Sequence, residues 1–147
     1  MPTLSKNPRG TFDFEVLEKF EAGLALFGHE VKSIRDGKMS LRGAYVTLHD
    51  GEVFLIGSHV PRYPPAGPLP DYDPDRSRKV LLHQREIKRL IGKTKERGLT
   101  LVPLSVYTAG SRIKIEFALG RGKKQYEKRE TIKKRDVERE IRRALKG

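Results

Sequence analysis

No cysteine occurs among the 147 residues, which excludes disulfides, thiolate metal sites and a thiol nucleophile. That usage fits a reducing compartment, and a cytoplasmic location is expected. No run approaches the roughly eighteen apolar residues of a membrane span. The opening stretch M-P-T-L-S-K-N-P-R-G carries no apolar core, so a secretory leader is not expected either. No G-x-S-x-G string appears. The four histidines, His29, His49, His59 and His83, show no ligand pairing at helical spacing. Neither a cofactor nor a metal is expected, and there is no internal repeat.

Three motifs fall short of the sites they suggest. Gly92-Lys93-Thr94 copies the end of a phosphate-binding loop, but Ile87 stands where the first glycine is needed. Asp71, Asp73 and Asp75 have the spacing that opens a calcium loop, but Arg76 and Leu82 replace its glycine and closing glutamate. Gly120-Arg121-Gly122 lacks the third glycine of a dinucleotide fingerprint, Gln125 standing there, and reads as a flexible basic hinge.

What the chain has in excess is positive charge, a net +12. The excess is concentrated. Arg76 to Arg97 holds nine Lys/Arg against two Asp/Glu, and Gly120 to Gly147 holds twelve against five, while the rest is slightly acidic. Two basic segments in one chain point to a polyanionic partner. A chain of this length defaults to one domain and buries roughly 70% of its unfolded surface, enough for one proper core.

The periodicities place these segments. Ile87, Leu90, Ile91 and Thr94 share one face at helical spacing, with Arg85, Lys88 and Arg89 on other faces, and Gly98 follows as a stop signal. The pattern then turns strand-like from Leu99 to Thr108, reverses through Ala109-Gly110, and continues with Ile113, Ile115, Phe117 and Leu119 on one face. Residues 1–11 read as a flexible arm. Phe12, Phe14 and Val16 alternate with acidic residues as a half-buried strand, whose pattern continues imperfectly to Gly28, with a bulge or close approach at Gly23. Ser40 suits the cap of one helical turn reaching Ala44. Asp50-Gly51 is a two-residue hairpin signal between two strands. Six prolines between Pro61 and Pro74 mark a long loop. About six strands, hairpin turns and one inserted helix suggest a mainly β chain, either a sandwich or a small closed antiparallel barrel of OB type.

Several strings are more specific than any periodicity. F-E-A-G-L-A-L (20–26), E-V-K-S-I-R (30–35), V-L-L-H-Q-R-E-I (80–87), L-I-G-K-T (90–94) and K-E-R-G-L-T-L-V-P-L (95–104) occur in order, followed by G-K-K-Q-Y-E-K-R (122–129). Together they resemble the SsrA-binding protein (SmpB) family, the protein partner of tmRNA in trans-translation. The resemblance runs from about Phe14 to Arg143 and implies an OB-like barrel with helices. Pro8, Gly10 and Thr11 depart from the family around Asn7, and Glu127 replaces its commoner aspartate.

The resemblance also implies a tmRNA-binding set: Asn7, Glu21, Leu81 and Lys114. Read from the residues alone, Glu21 equally suits a structural carboxylate and Leu81 plain core packing. Arg85, Lys88 and Arg89 join the set as the outward cations of the helix. A barrel of residues 1–119 is expected to hold the tRNA-like domain of tmRNA and replace the missing anticodon arm. The tail, residues 120–147, is expected to be disordered when free and helical on the ribosome, because Val137, Ile141, Ala144 and Leu145 form only a narrow apolar stripe. Its ribosome-binding candidates are Lys123, Lys124, Tyr126, Glu127, Lys128, Arg129, Lys133, Lys134 and Arg135. Tyr126 offers a ring for base stacking. The implied partners are tmRNA and the decoding region and mRNA path of the small ribosomal subunit, and the protein is expected to be a monomer. The reading is a non-enzymatic adaptor. Its alternatives are a ribosomal protein or translation factor of similar barrel type binding rRNA, and an enzyme acting on RNA.

Overall fold

The computed structural model describes residues 3–7, 10–95 and 98–123. In order the elements are β1 (Thr3–Lys6), α1 (Gly10–Asp13), β2 (Phe14–Leu24), α2 (Gly28–Arg35), β3 (Tyr45–His49) and β4 (Glu52–Ile56). A 3-10 turn (Pro64–Ala66) leads to β5 (Arg78–Leu81), α3 (Gln84–Thr94), β6 (Leu99–Ala109) and β7 (Arg112–Gly122). The strands pair in the order β1-β6-β3-β4-β5-β2-β7, and a further β6–β7 pairing closes six of them into a ring with β1 added to β6. Every strand pairing is antiparallel among the described residues. The architecture is mainly β and OB-like.

The ring closes through the long β6–β7 ladder, whose register shifts once between Pro103 and Ser105. Ile113, Ile115, Phe117 and Leu119 point inward with Leu101 and Val106, all buried, while Lys114 and Glu116 take the outer face. Phe20 of β2 stacks on Phe117 inside, centroids 5.4 Å apart. The β3–β4 hairpin turns on Asp50 (φ 50°) and Gly51 (φ 75°), two successive left-handed residues that match the twist of the flanking strands. The helix expected in the basic segment is α3, which buries Ile87 and Leu90. The Gly92-Lys93-Thr94 trio lies inside it, away from any strand-to-helix turn.

Some elements differ from expectation. Part of the N-terminal arm is a strand, Thr3 and Ser5 pairing with Tyr107 and Val106 of β6. Residues 10–13 form a helical turn, so β2 starts only at Phe14. Its bulge falls between Val16 and Glu18, and at Gly23 a Cβ would make ordinary contact with Leu81. Ser40 caps no helix; its hydroxyl accepts the Arg42 N–H at 3.3 Å in a turn. Two elements were missed, α2 and β5.

The 119/120 boundary also shifts. β7 continues to Gly122, opposite Phe14, and the Lys123 N–H donates to the Asp13 carbonyl at 2.8 Å. Gly120 is no hinge: it pairs with Val16 and Thr100, and a Cβ there would stand 3.2 Å from Phe14 Cβ and 3.3 Å from the Glu15 carbonyl. The other tail candidates, from Lys124 to Arg135, and the tail helix lie outside the described residues.

α2 and the long loop are tied to the ring by one buried carboxylate. Glu30 and Arg78 are each fully buried. Arg78 Nε and Nη2 donate to Glu30 Oε2 at 2.9 and 2.7 Å. The remaining Arg78 donors reach Ser58, Arg76 and Pro74 carbonyls and the Ser58 hydroxyl. Arg76 pairs with the other Glu30 oxygen, and the Phe27 N–H at the start of α2 donates to it at 2.8 Å. The Tyr72 hydroxyl lies 2.9 Å from Glu30 Oε2 and 2.7 Å from the Val60 carbonyl. Loss of water and the Glu30 carboxylate push the Tyr72 phenol up to about 12.

Candidate nucleic-acid interface

The sheet register brings distant residues into one row. On the outer face Tyr107 of β6 stands opposite Lys114 of β7, Lys114 opposite Gly23 of β2, and Gly23 opposite Leu81 of β5. Directly opposed residues of neighbouring antiparallel strands share a face. Glu21 lies two residues from Gly23, on that same face. Gly23 has no side chain to separate Lys114 from Leu81, so the sheet surface is open between them.

Around this row is an open cleft of about 550 Å³, lined among others by Glu21, Leu81 and Lys114. Leu81 is 49% exposed. An apolar side chain at the end of a strand row, left half in water beside a cleft, is a contact surface in want of a partner more than a core residue. Glu21 is exposed and Lys114 partly so. The cleft therefore offers a carboxylate acceptor, an apolar prop and an ammonium donor within one concave surface.

The sequence reading missed other members of the cleft. His83 and Glu86 come from the start of α3, and Arg112 from the β6–β7 turn. They follow directly on Leu81 and precede Lys114, but nothing local signals that the two turns meet. The ionisable lining (Glu21, Glu86, Arg112, Lys114) is balanced in charge with histidine neutral.

The cations that the helix reading singled out, Arg85, Lys88 and Arg89, are exposed on α3 and are not part of the cleft lining. Arg89 Nη2 is 2.7 Å from Glu18 of β2, which fixes the helix against the sheet and spends part of that arginine's charge. Asn7 is placed apart from the cleft. Its side-chain amide donates to the Pro103 carbonyl at 2.8 Å and its N–H to the Leu104 carbonyl. Pro103 is four residues along β6 from Tyr107, roughly 13 Å at strand rise. Lys123 ends the described chain beside Asp13, on another part of the ring.

The acidic loop is folded into the architecture. His59 Nδ1 and Asp75 Oδ1 are 2.7 Å apart, and Asp73 Oδ1 accepts the Asp75 N–H. Among the described residues no group of His, Asp and Glu is arranged to hold a metal ion, and no helix is long and apolar enough to cross a membrane.

Comparison with known proteins points the same way as the strings. The family model described as SmpB protein matches residues 4–147. An SsrA-binding protein of Acaryochloris marina is 50% identical over 143 residues, covering 97% of this chain and 93% of its own. That of Oleidesulfovibrio alaskensis is 49% identical over 142 residues, covering 97% and 91%. A solved structure described as "tmRNA-SmpB: a journey to the center of the bacterial ribosome" superposes with a TM-score of 0.66 at 44% identity, over 82% of this chain and 84% of its own.

Proposed function

The chain belongs to the SmpB protein family, and from that premise we propose that it is a tmRNA-binding adaptor of trans-translation. It binds the tRNA-like domain of tmRNA, takes the place of the anticodon arm and delivers the RNA to stalled ribosomes. The work is binding, with no catalytic step assigned to any residue, and its place is the cytoplasm with the ribosome.

The observation that carries this reading is the cleft in which Leu81 stands half exposed in one lining with Glu21 and Lys114. Single-stranded or looped RNA presents base edges, ring faces and 2′-hydroxyls that a sheet surface of this kind can meet. Leu81 packs against a base or ribose, Lys114 meets a phosphate, and Glu21 accepts from a base amino group or a 2′-hydroxyl. Arg85, Lys88 and Arg89 supply the phosphate contacts that a charge-balanced cleft lacks, and Asn7 extends the footprint along β6. Beyond Lys123 the chain carries ten Lys/Arg against five Asp/Glu; this tail, with Tyr126 for stacking, engages the decoding region and the empty mRNA path.

Two measurements test the reading. Binding of the tRNA-like domain should weaken with salt at a slope of log K on log salt of roughly −4 to −7, as expected for about five to eight neutralised phosphates. A nearly flat profile would rule out the phosphate-driven part. Leu81→Ala should weaken binding by about tenfold, the worth of a base or ribose packed on an aliphatic side chain. Because Leu81 is half exposed already, its unfolding midpoint should barely move. A large fall in that midpoint with unchanged affinity would return Leu81 to the core.

A further inference from the structure

We infer that Tyr107 is a positioning residue of the RNA cleft, its hydroxyl holding the Glu21 carboxylate in the orientation that receives RNA. The inference rests on the reading that this cleft holds tmRNA.

Three observations converge on Tyr107. It sits on the outer face of the ring opposite Lys114, yet it is only 5% exposed. Its neighbours of like orientation, Lys114 and Glu116, remain partly exposed. A phenol that lies flat across β7 between those two side chains would be covered by them, and it would end beside β2. Glu21 is the β2 residue opposite Glu116.

The hydroxyl itself has lost its water without gaining a partner of full hydrogen-bond geometry. Burial, then the facing Glu21 carboxylate and the Glu116 charge, push this phenol up to about 12. A buried hydroxyl left so is costly unless a small movement completes a bond. Of the two carboxylates near it, Glu116 is already beside Lys19, and Glu21 is exposed and rotatable.

The third observation is electrostatic. Glu21 and Glu116 are directly opposed carboxylates, an arrangement that is unfavourable on a sheet. Glu116 is relieved by Lys19, 3.9 Å away. Glu21 has no cation among the described ion pairs, which leaves its carboxylate open to a donor such as the phenol. A carboxylate steadied through one oxygen keeps the other free to accept from a base edge or a 2′-hydroxyl. It also stays in place when a phosphate backbone approaches, where an untethered carboxylate would swing away.

The test is a double-mutant cycle on the full-length chain with the tRNA-like domain as probe. Tyr107→Phe removes only the hydroxyl and should weaken binding by about tenfold, the size of one hydrogen bond to a charged group. The unfolding midpoint should change little, since the desolvation cost of the buried hydroxyl goes together with its bond to an exposed carboxylate. Glu21→Gln should weaken binding too, and the pair together should be no worse than Glu21→Gln alone. In tyrosine-ring NMR, the Tyr107 titration should move to lower pH in Glu21→Gln, a shift that a purely structural tyrosine would not show. Additive losses, or unchanged affinity in Tyr107→Phe while Leu81→Ala binds weakly, overturn the inference and leave the cleft reading intact. Normal binding by Leu81→Ala and Lys114→Ala removes the cleft reading and the inference together.

Discussion

Glu30→Ala is expected to cost about 3–5 kcal/mol of stability at neutral pH, because it strands Arg78 as a fully buried charge without its counter-ion. In a chain of this size that is a fall of about 10–20 °C in the unfolding midpoint. Arg78→Ala should cost a similar amount by leaving Glu30 with one guanidinium fewer. Since the two side chains are in one network, the double variant should lose clearly less than the sum of the singles. A midpoint lowered by only a degree or two in Glu30→Ala would mean that the network is not what holds α2 and the loop to the ring.

The pH dependence follows with a definite sign. Burial raises the Glu30 pKa, but hydrogen bonds from Arg76, the Phe27 N–H and Arg78, with the Arg78 charge, outweigh it and hold the group down to about 2 from 4.5. A carboxyl depressed on folding stabilises fully above its unfolded value and loses that contribution as pH falls through its folded value. The contribution of Glu30 should therefore be complete above about pH 4.5 and vanish towards pH 2. In Glu30→Ala the midpoint should depend on pH less steeply across that interval. The cleft proposed for RNA should feel the change as well, since Val31 of α2 and Leu26 just before it line the same concavity.

Truncation after Lys123 is expected to leave binding of the tRNA-like domain near normal and to abolish tagging of nascent chains on stalled ribosomes. The position of the cut matters. Gly120, Arg121 and Gly122 are ladder residues of β7 paired with Phe14, Glu15 and Val16, so a cut at Leu119 would damage the ring along with the tail. A cut after Lys123 removes ten of the cations and spares every described strand pairing. The cleft residues Glu21, Leu81 and Lys114 are all retained. The readouts are affinity for the tRNA-like domain and incorporation of tag into nascent chains. Tagging by the truncated protein, or loss of RNA binding by a fully folded truncation, would show that ring and tail are not separate devices.

Those two experiments probe features that differ in how far the residues announced them. The Asp50-Gly51 hairpin was legible because two adjacent residues carry the whole instruction: both adopt left-handed backbone, and few residue pairs do so cheaply. α3 was legible because Ile87, Leu90 and Ile91 repeat at helical period over its length. β6 was legible from its run of apolar and β-branched residues, and β7 from the alternation of Ile113, Ile115, Phe117 and Leu119. The family resemblance added Glu21, Leu81 and Lys114 as candidates, which periodicity could not supply.

α2 was not legible, because its inward face carries Glu30 and Ser33 beside Ile34 and so lacks an apolar stripe. β5 was disguised in the same way, with Arg78 at an inward position where a strand ordinarily shows an aliphatic residue. Each makes sense only with the other, 48 residues away, because a buried carboxylate is tolerable only beside a buried guanidinium. β1 becomes a strand only where β6 offers it a free edge. The cleft is likewise a product of closure, since Leu81, Gly23, Lys114 and Tyr107 meet through register across four strands. Turn and period depend on neighbours within a few residues, and the sequence by itself determined those. Which strand edges pair, and which charges can be buried together, depends on closing loops tens of residues long around one core, and only the tertiary structure decided that.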